Sequence, residues 1–389
     1  MGPVRTELFT EEHELFRGSV RTFVEQRIAP HLEEWEWAGR IDPDLWRSAG
    51  ELGLLGPAVP ESYGGGGSTD YRFRCVLMEE LARVGAAAVN VALGGFDDLV
   101  GPYLVDLGTE EQKLRWLPDL CAGRKRAAIA MTEPGAGSDL RGIRTTATRD
   151  GEHWVLNGSK TFITSGAGAD LVIVVARTDP QAGARGFSLL VVEAGMPGFT
   201  RGKALDKLGQ RAEDVSELFF DDVRVPATNL LGTEGGGFGH LMERLPKERL
   251  SIAYYGLAAA ESALEWTLRH VGQRTAFGQP VAQFQATKFS LAEIATELEV
   301  TRAYVDRAVL ALNAGTLSAV DAAKVKWWAT ELQQRVLTRC LQLHGGYGYM
   351  REYPIARAFV DARVQTIYGG TTEIMKEIIG RDLIRPARS

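Results

Sequence analysis

The sequence predicts an α+β chain in three consecutive parts, helical, then β, then helical. Three observations carry that expectation. Apolar residues recur at three- and four-residue steps early in the chain, short β-rich runs broken by turn residues fill the stretch from Ala127 to Gly232, and long helical periods return from about Phe238. At 389 residues the chain exceeds one ordinary domain and suffices for two or three packed units. The expected parts are residues 1–126, 127–237 and 238–389. No repeat or low-complexity linker separates them, so they are expected to pack as one unit.

In the first part, Thr10 precedes Glu11 and Glu12, an N-cap followed by acids in the first turn. Phe16, Val20, Phe23, Val24 and Ile28 then share one face, and Pro30 is expected to end the helix. Further helices are expected over 71–84 and 109–119, the second stopping before Gly123. In the middle part, 145–148 and 154–156 flank Asp150-Gly151 as a hairpin, and 171–176, 187–192 and 217–220 read as strands. They do not alternate with helices, which disfavours a doubly wound parallel sheet and favours a compact antiparallel β-domain. In the last part, Leu291, Ile294, Leu298, Val305 and Val309 form a stripe ending near Gly315. Ser318-Ala-Val-Asp321 resembles a capping box, opening a helix whose Val325, Trp328, Leu332, Val336, Cys340 and Leu343 are expected to face one side until Gly345 and Gly346 stop it.

Composition removes several function classes. Lys plus Arg total 44 against 50 Asp plus Glu, a net charge of −6 without basic runs, so nucleic acid is not the expected partner. No stretch approaches the roughly 18 consecutive apolar residues of a membrane span. Three scattered cysteines, Cys75, Cys121 and Cys340, suggest neither a disulfide framework nor a zinc site, and the six histidines show no ligand spacing, so no metal is expected. The amino terminus lacks a secretory signal, leaving a reducing cytoplasm as the expected location. Gly2 and Thr6 fit a loose myristoylation pattern that Pro3 makes awkward.

Three glycine clusters, Gly64–Gly67, Gly135-Ala-Gly137 and Gly235–Gly237, have neither the phosphate-loop spacing nor the strand-before, helix-after context of a dinucleotide fingerprint. The first and third read as solvated loops. The second lies within Met131-Thr-Glu-Pro-Gly-Ala-Gly-Ser-Asp139, a loop expected to leave a β-strand, whose N–H groups and hydroxyls can bind a flat heteroaromatic ring or a phosphate.

That segment is followed in order by Asn157-Gly-Ser-Lys-Thr-Phe-Ile-Thr164, Arg274-Thr-Ala-Phe-Gly278, Gln342-Leu-His-Gly-Gly346 and Tyr368-Gly-Gly-Thr371. Together these five motifs resemble the acyl-CoA dehydrogenase family over essentially the whole chain. The resemblance implies an amino-terminal helical domain, a central antiparallel β-barrel-like domain and a carboxy-terminal four-helix bundle, assembled as a homotetramer with FAD between the β-domain and the bundle. Met131 and Thr132 would then meet the flavin pyrimidine edge, and Phe162 and Thr164 would lie against the isoalloxazine. Many relatives carry Trp where this chain has Phe162. Arg274 and Phe277 would reach a neighbouring subunit's FAD, Gln342, Gly345 and Gly346 would hold the adenosine end, and Thr371 and Glu373 would contact the dinucleotide. Ser138, Arg249 and Tyr368 would serve the acyl-CoA. Taken singly, Phe162 reads as a core aromatic, Arg274 as a solvated charge, and Gln342 and Thr371 as caps or surface groups.

The chemistry so implied removes two hydrogens across Cα–Cβ of an acyl thioester, a carboxylate taking the α-proton while the β-hydride goes to FAD. Many relatives carry that carboxylate directly after the Tyr of the carboxy-terminal loop, where this chain has Gly369. A long-chain and isovaleryl-type subgroup supplies it instead from a helix of the last domain, and Leu245-Pro-Lys-Glu-Arg-Leu250 resembles that arrangement, with Glu248 at the position concerned. Gly369 would keep a backbone N–H while vacating volume for Glu248. Without the resemblance Glu248 is an acid on a solvated face, and Arg249 beside it could equally form a structural ion pair. Electron-transfer flavoprotein is the acceptor the resemblance implies. A carrier-protein-tethered acyl substrate, oxidase or N-hydroxylase chemistry, and a non-catalytic paralogue stay open, as do the acyl chain length and the direction in which Tyr254, Tyr255 and Phe96-Asp97-Asp98 face.

Overall fold

The computed structural model describes residues 8–384, so Gly2, Pro3 and Thr6 lie outside the described residues. Thr10 caps α1 (Glu11–Phe23), its N–H donating to Nδ1 of His13 at 3.2 Å. Pro30 does not end the helical path as expected. A π turn at Val24–Ile28 and a 3-10 turn at Ala29–His31 carry the chain into α2 (Leu32–Ala38). Pro30 stands in the first turn of a new segment, where its missing N–H costs no hydrogen bond. Then come α3 (Asp44–Glu51), α4 (Arg72–Arg83), α5 (Ala87–Gly94), a π turn at Gly95–Val100, α6 (Gly101–Leu107) and α7 (Glu110–Cys121). The α4 and α7 helices fall where the sequence put them. The α5 helix was not foreseen because it is apolar nearly all round, with only Val91 short of full burial, and shows no amphipathic period.

The sheet contains β1 (Ala127–Ala130), β2 (Thr146–Asp150), β3 (His153–Thr164), β4 (Leu171–Arg177), β5 (Phe187–Glu193), β6 (Phe199–Arg201), β7 (Val215–Pro226) and β8 (Leu230–Leu231). Its order is β6-β7-β3-β2-β4-β5-β8, with β1 also on β4. The β2–β3 hairpin turns at Gly151 with Asp150 opposite His153, as the Asp-Gly pair demands. The sheet is not purely antiparallel, since β1 runs parallel to β4 from Ala127↔Leu171 to Ala130↔Val174. The loop after β1 carries the chain away before β4 returns in the same direction, and nothing local to the run Ala-Ala-Ile-Ala signals the direction in which it pairs. On β4, Val172, Val174 and Ala176 join the sheet's own core while Leu171, Ile173 and Val175 face the helices. Both faces are buried, which is why this strand reads as a continuous apolar run.

The last part begins with α8 (Gly237–Gln273). Gly235–Gly237 is not the solvated loop expected from sequence, because Gly237 presses on β5, where a Cβ would stand 2.8 Å from the Phe187 carbonyl oxygen. A short hairpin, β9 (Thr275–Ala276) and β10 (Gln279–Pro280), leads to α9 (Gln285–Asn313), α10 (Ala319–His344), α11 (Pro354–Ala362) and α12 (Thr372–Leu383). The central helix is α10, packed on α8, α9, α11 and α12. Ser318 caps it, accepting from Asp321 N–H at 3.0 Å. Val325, Leu332, Val336 and Cys340 are buried as expected. Leu343 is only half-buried, and Trp328 stands at the rim with its indole N–H on Thr301 Oγ1 at 2.8 Å, a polar tip that full burial would orphan. No described helix is long and apolar enough to cross a membrane.

Candidate active site

Two distant segments meet at Glu248. The residue lies in α8, whose Leu241, Leu245, Arg249 and Leu250 are buried, while Glu248 itself keeps partial access to solvent. Opposite runs the loop before α12, in which Gly369 and Gly370 have φ of +64° and +99°. A Cβ on Gly369 would lie 3.6 Å from Glu248 Oε1 and 2.4 Å from Ile252 Cδ1, so a side chain there would meet the carboxylate and displace Ile252. Arg249 Nε donates to the Gly369 carbonyl at 3.3 Å, and Lys326 Nζ of α10 donates to the Gly370 carbonyl at 2.7 Å. Thr371 caps α12 by accepting from Ile374 N–H, and Thr372 bonds Glu331 at 2.7 Å.

No described group donates a hydrogen bond to the Glu248 carboxylate, and burial pushes its pKa up to about 7, with Arg249 and Lys326 pulling it down and Asp98 pushing it further up. A carboxylate near neutrality is what general-base work at physiological pH needs. Asp98 belongs to the π turn at Gly95–Val100 and is held by Tyr71 OH at 2.9 Å, Arg74 Nε at 3.1 Å and Ser251 Oγ at 2.6 Å. Neighbouring Asp97 is raised to about 7, chiefly by burial, and its carbonyl accepts Lys247 Nζ at 2.9 Å. The Phe96-Asp97-Asp98 segment therefore faces inward, clamped to the α8 turn that carries Glu248.

These raised carboxyls set a direction for stability. A carboxyl with a raised folded-state pKa stabilises the fold while protonated, and that contribution is lost as pH rises from the unfolded value near 4 through the folded one. Glu248 and Asp361 at about 7 and Glu213 at about 8 all act this way. Glu248→Gln is accordingly expected to be more stable than wild type at pH 8 by about 1–2 kcal/mol, after allowance for partial exposure, and little different at pH 5. Thermal midpoints of both proteins against pH test this; parallel curves would refute it.

A second group of residues assembles around the end of β3. Glu133 is buried in the 131–139 loop, its Oε1 accepting from Thr145 N–H, Thr145 Oγ1 and Lys160 Nζ at 2.9, 2.6 and 2.9 Å. Lys160 also donates to the Met131 carbonyl at 3.0 Å, and Thr161 N–H to the Thr132 carbonyl at 2.9 Å. Met131 and Thr132 are thus tied to the strand carrying Phe162 and Thr164. Phe162 sits at a β-bulge with φ of +57° and 66% of its surface exposed, so it is no core aromatic. A phenyl ring held outward on a left-handed residue is costly unless something covers it. Ser138 is exposed near the end of the same loop.

Beyond α8 and α10, Arg274, Gln342, Gly345 and Gly346 line one open cleft of about 470 Å³ with His270, His344 and Tyr347. Arg274 lies over the Tyr347 ring at 5.7 Å, and Gly345 adopts φ 59°, ψ −138°, which only glycine holds readily. Phe277, 96% exposed on the β9–β10 turn, meets the Phe284 ring edge-on at 6.2 Å. Glu373 is exposed in the first turn of α12, away from any described cation at ion-pair distance. Tyr368 is half-buried between Glu248 and Gln210. Tyr254 packs between helices, its hydroxyl on Glu79 at 2.7 Å and Arg302 over its ring, and Tyr255 is enclosed beside Asp361 and Gln365.

Family models match three successive stretches, described as the acyl-CoA dehydrogenase N-terminal domain over residues 10–124, middle domain over 128–223 and C-terminal domain over 235–384. The chain belongs to the acyl-CoA dehydrogenase family. It is an oxidoreductase of that family. Among relatives of this acyl-CoA dehydrogenase, the mitochondrial long-chain specific acyl-CoA dehydrogenase of Rattus norvegicus is 50% identical over 379 residues, covering 97% of this chain and 87% of its own. The crystal structure of an acyl-CoA dehydrogenase from Geobacillus kaustophilus superimposes with a TM-score of 0.95 at 49% identity, covering 98% of this chain and 100% of its own. A glutaryl-CoA dehydrogenase from Mycobacterium smegmatis in complex with FADH2 gives 0.91 at 30% identity, covering 98% and 96%.

The residues present fit FAD. An outward aromatic at Phe162, backbone and hydroxyl groups at Met131, Thr132 and Thr164, and a cleft with one arginine and bare glycine backbone offer the flat surface, polar edge and anion partner a flavin dinucleotide requires. Sequence reasoning passed over Glu133, Lys160 and Lys326, and left open which way Asp98 faces. The first two stand inside the motifs quoted above, and a charged residue fixed among small and apolar ones was the available signal.

Proposed function

We propose that this chain catalyses FAD-dependent α,β-dehydrogenation of an acyl-CoA thioester, with Glu248 removing the α-proton. The observation that carries the reading is the approach of Gly369 to Glu248. The loop position where many relatives carry a carboxylate is empty of side chain, and the Glu248 carboxylate stands 3.6 Å from where a Cβ would be. Bound FAD would accept the β-hydride as the α-proton leaves. No described donor bonds the half-dry Glu248 carboxylate, so its lone pairs are available and its basicity is raised. Ser138, Arg249 and Tyr368 frame the thioester end in this reading, Arg249 through its hold on the Gly369 carbonyl. Met131, Thr132, Phe162 and Thr164 would hold the flavin, and Gln342, Gly345, Gly346, Thr371 and Glu373 the rest of the dinucleotide.

The finer parts of the proposal are a homotetramer, a cytoplasmic location and electron-transfer flavoprotein as acceptor. Phe277, left almost wholly bare in one chain, supports a second subunit beyond it. Arg274→Ala is expected to weaken FAD retention by about 10–100-fold, the scale of one charge-assisted contact to a phosphate. Flavin absorbance after gel filtration measures it, and full retention would remove Arg274 from the cofactor site.

The deciding experiment is anaerobic titration with a panel of acyl-CoA thioesters, following bleaching of the flavin band. Rapid bleaching supports the proposal, and the best thioester gives the chain length. A flavoprotein that no thioester bleaches would favour the carrier-tethered or hydroxylase readings instead.

A further inference from the structure

We propose that Lys326 is a positioning residue for the reaction, holding the Gly369–Gly370 loop from α10 while keeping a positive charge beside Glu248. The inference rests on the reading of Glu248 as the base.

Lys326 is fully buried in the third turn of α10, in the face that packs the bundle with Val325 and Ala329. A buried ammonium is expensive: burial and the neighbouring Arg249 lower its pKa to about 8 against the pull of Glu248, Glu331 and Glu373, and none of the described carboxylates stands within ion-pair distance of it. Its hydrogen-bond partner is the Gly370 carbonyl at 2.7 Å. An apolar side chain would serve α10 packing better, so the cation is explained by what it does to the loop and its surroundings.

The loop shows what that is. Successive carbonyls are taken from the bundle side, Gly369 by Arg249 and Gly370 by Lys326. The N–H groups of Gly369 and Gly370 donate to no described acceptor. Beside Glu248 there is therefore a short stretch of backbone whose acceptors are occupied and whose donors are unspent. Such donors suit a thioester carbonyl whose oxygen gains negative charge as the α-proton leaves, provided the loop is held still. Arg249 and Lys326 reach it from different helices, so losing Lys326 frees one end of the clamp.

The charged and titratable groups facing Glu248 are Arg249 on α8, Asp98 on the π turn, Lys326 on α10, Tyr103 on α6 and Tyr368 on the loop itself. Lys326 favours the ionised carboxylate and Asp98 disfavours it. Removing the Lys326 charge must therefore make Glu248 hold its proton to higher pH.

The test uses the FAD-loaded enzyme and a 3-thia-acyl-CoA, whose α-proton can be removed but whose β-position has no hydride to give. Its deprotonation is followed by long-wavelength absorbance against pH in wild type, Lys326→Gln, Lys326→Met and Glu248→Gln. In Lys326→Gln, which keeps a donor but no charge, the midpoint is expected to rise by about one pH unit. Lys326→Met, which loses both, is expected to add a several-fold rise in acyl-CoA KM at unchanged flavin content. A lower thermal midpoint alone, with wild-type titration and KM, would overturn the assignment, and if Lys326→Met does not fold, Lys326→Gln decides by its midpoint. Should Glu248→Gln titrate like wild type, the base assignment falls and this inference with it; a wild-type midpoint in Lys326→Gln while Glu248→Gln is silent removes only the inference.

Discussion

Glu248→Gln is expected to bind FAD and acyl-CoA as wild type does and to reduce its flavin about 10³–10⁴-fold more slowly, the contribution of a well-placed general base. That factor corresponds to about 4–5.5 kcal/mol of transition-state stabilisation. The amide is nearly isosteric, and the carboxylate it replaces accepts no described hydrogen bond, so no scaffold contact is lost with the charge. Stopped-flow bleaching under anaerobic conditions separates the chemical step from binding. Wild-type bleaching in the variant would mean that another group takes the proton. The nearest alternatives do not suit the task. Asp98 is tied up by Tyr71, Arg74 and Ser251, and Tyr368 and Tyr103 are pushed above their ordinary phenol range, chiefly by burial.

Much of this site was legible in the sequence, and the manner in which it was legible has a physical basis. Glu248 and Gly369 were readable as a pair because a loop that loses a carboxylate and a helix that gains one must answer to the same substrate atom. The structure supplies what the sequence lacks, the close approach of the two. Gln342, Gly345 and Arg274 were readable as motif members, and their convergence on one cleft follows from α8 and α10 ending side by side. The β2–β3 hairpin, the Ser318 cap, α4 and α7 were readable because turn chemistry and helical period are local properties. The illegible residues depend on partners far away in sequence. Lys326 sits on a stripe that reads as core, and its ammonium makes sense only once the Gly370 carbonyl arrives. Asp98 lies in a π turn that periodicity does not describe, and its meaning comes from Ser251, 153 residues on. Trp328 was misplaced for the complementary reason, since its size argued for the core and its indole N–H for the rim.

Breaking the Lys160–Glu133 pair is expected to have the largest effect on the scaffold. Lys160 is wholly buried, and its pKa falls to about 8 because burial outweighs the attraction of Glu133, whose own pKa is lowered because its donors outweigh burial. Removing one member of such a buried pair leaves the other uncompensated and costs about 3–5 kcal/mol. Lys160→Met also strips a donor from the Met131 carbonyl while leaving Glu133 its bonds from Thr145 and Arg144 N–H. The damage falls on the junction between the 131–139 loop and the strand bearing Phe162 and Thr164, so FAD affinity should drop along with the thermal midpoint. Glu133→Gln should damage the same junction from the other side. In the double variant neither charge is buried alone, and most of the lost stability should return, with a coupling of about 2 kcal/mol or more. A double variant no better than the sum of the two singles would show that Lys160 and Glu133 act independently. FAD affinity should track stability through this cycle, because the same crosslink holds both halves of the proposed flavin platform. A double variant that recovers its thermal midpoint but not its flavin would place a direct role on the ammonium itself.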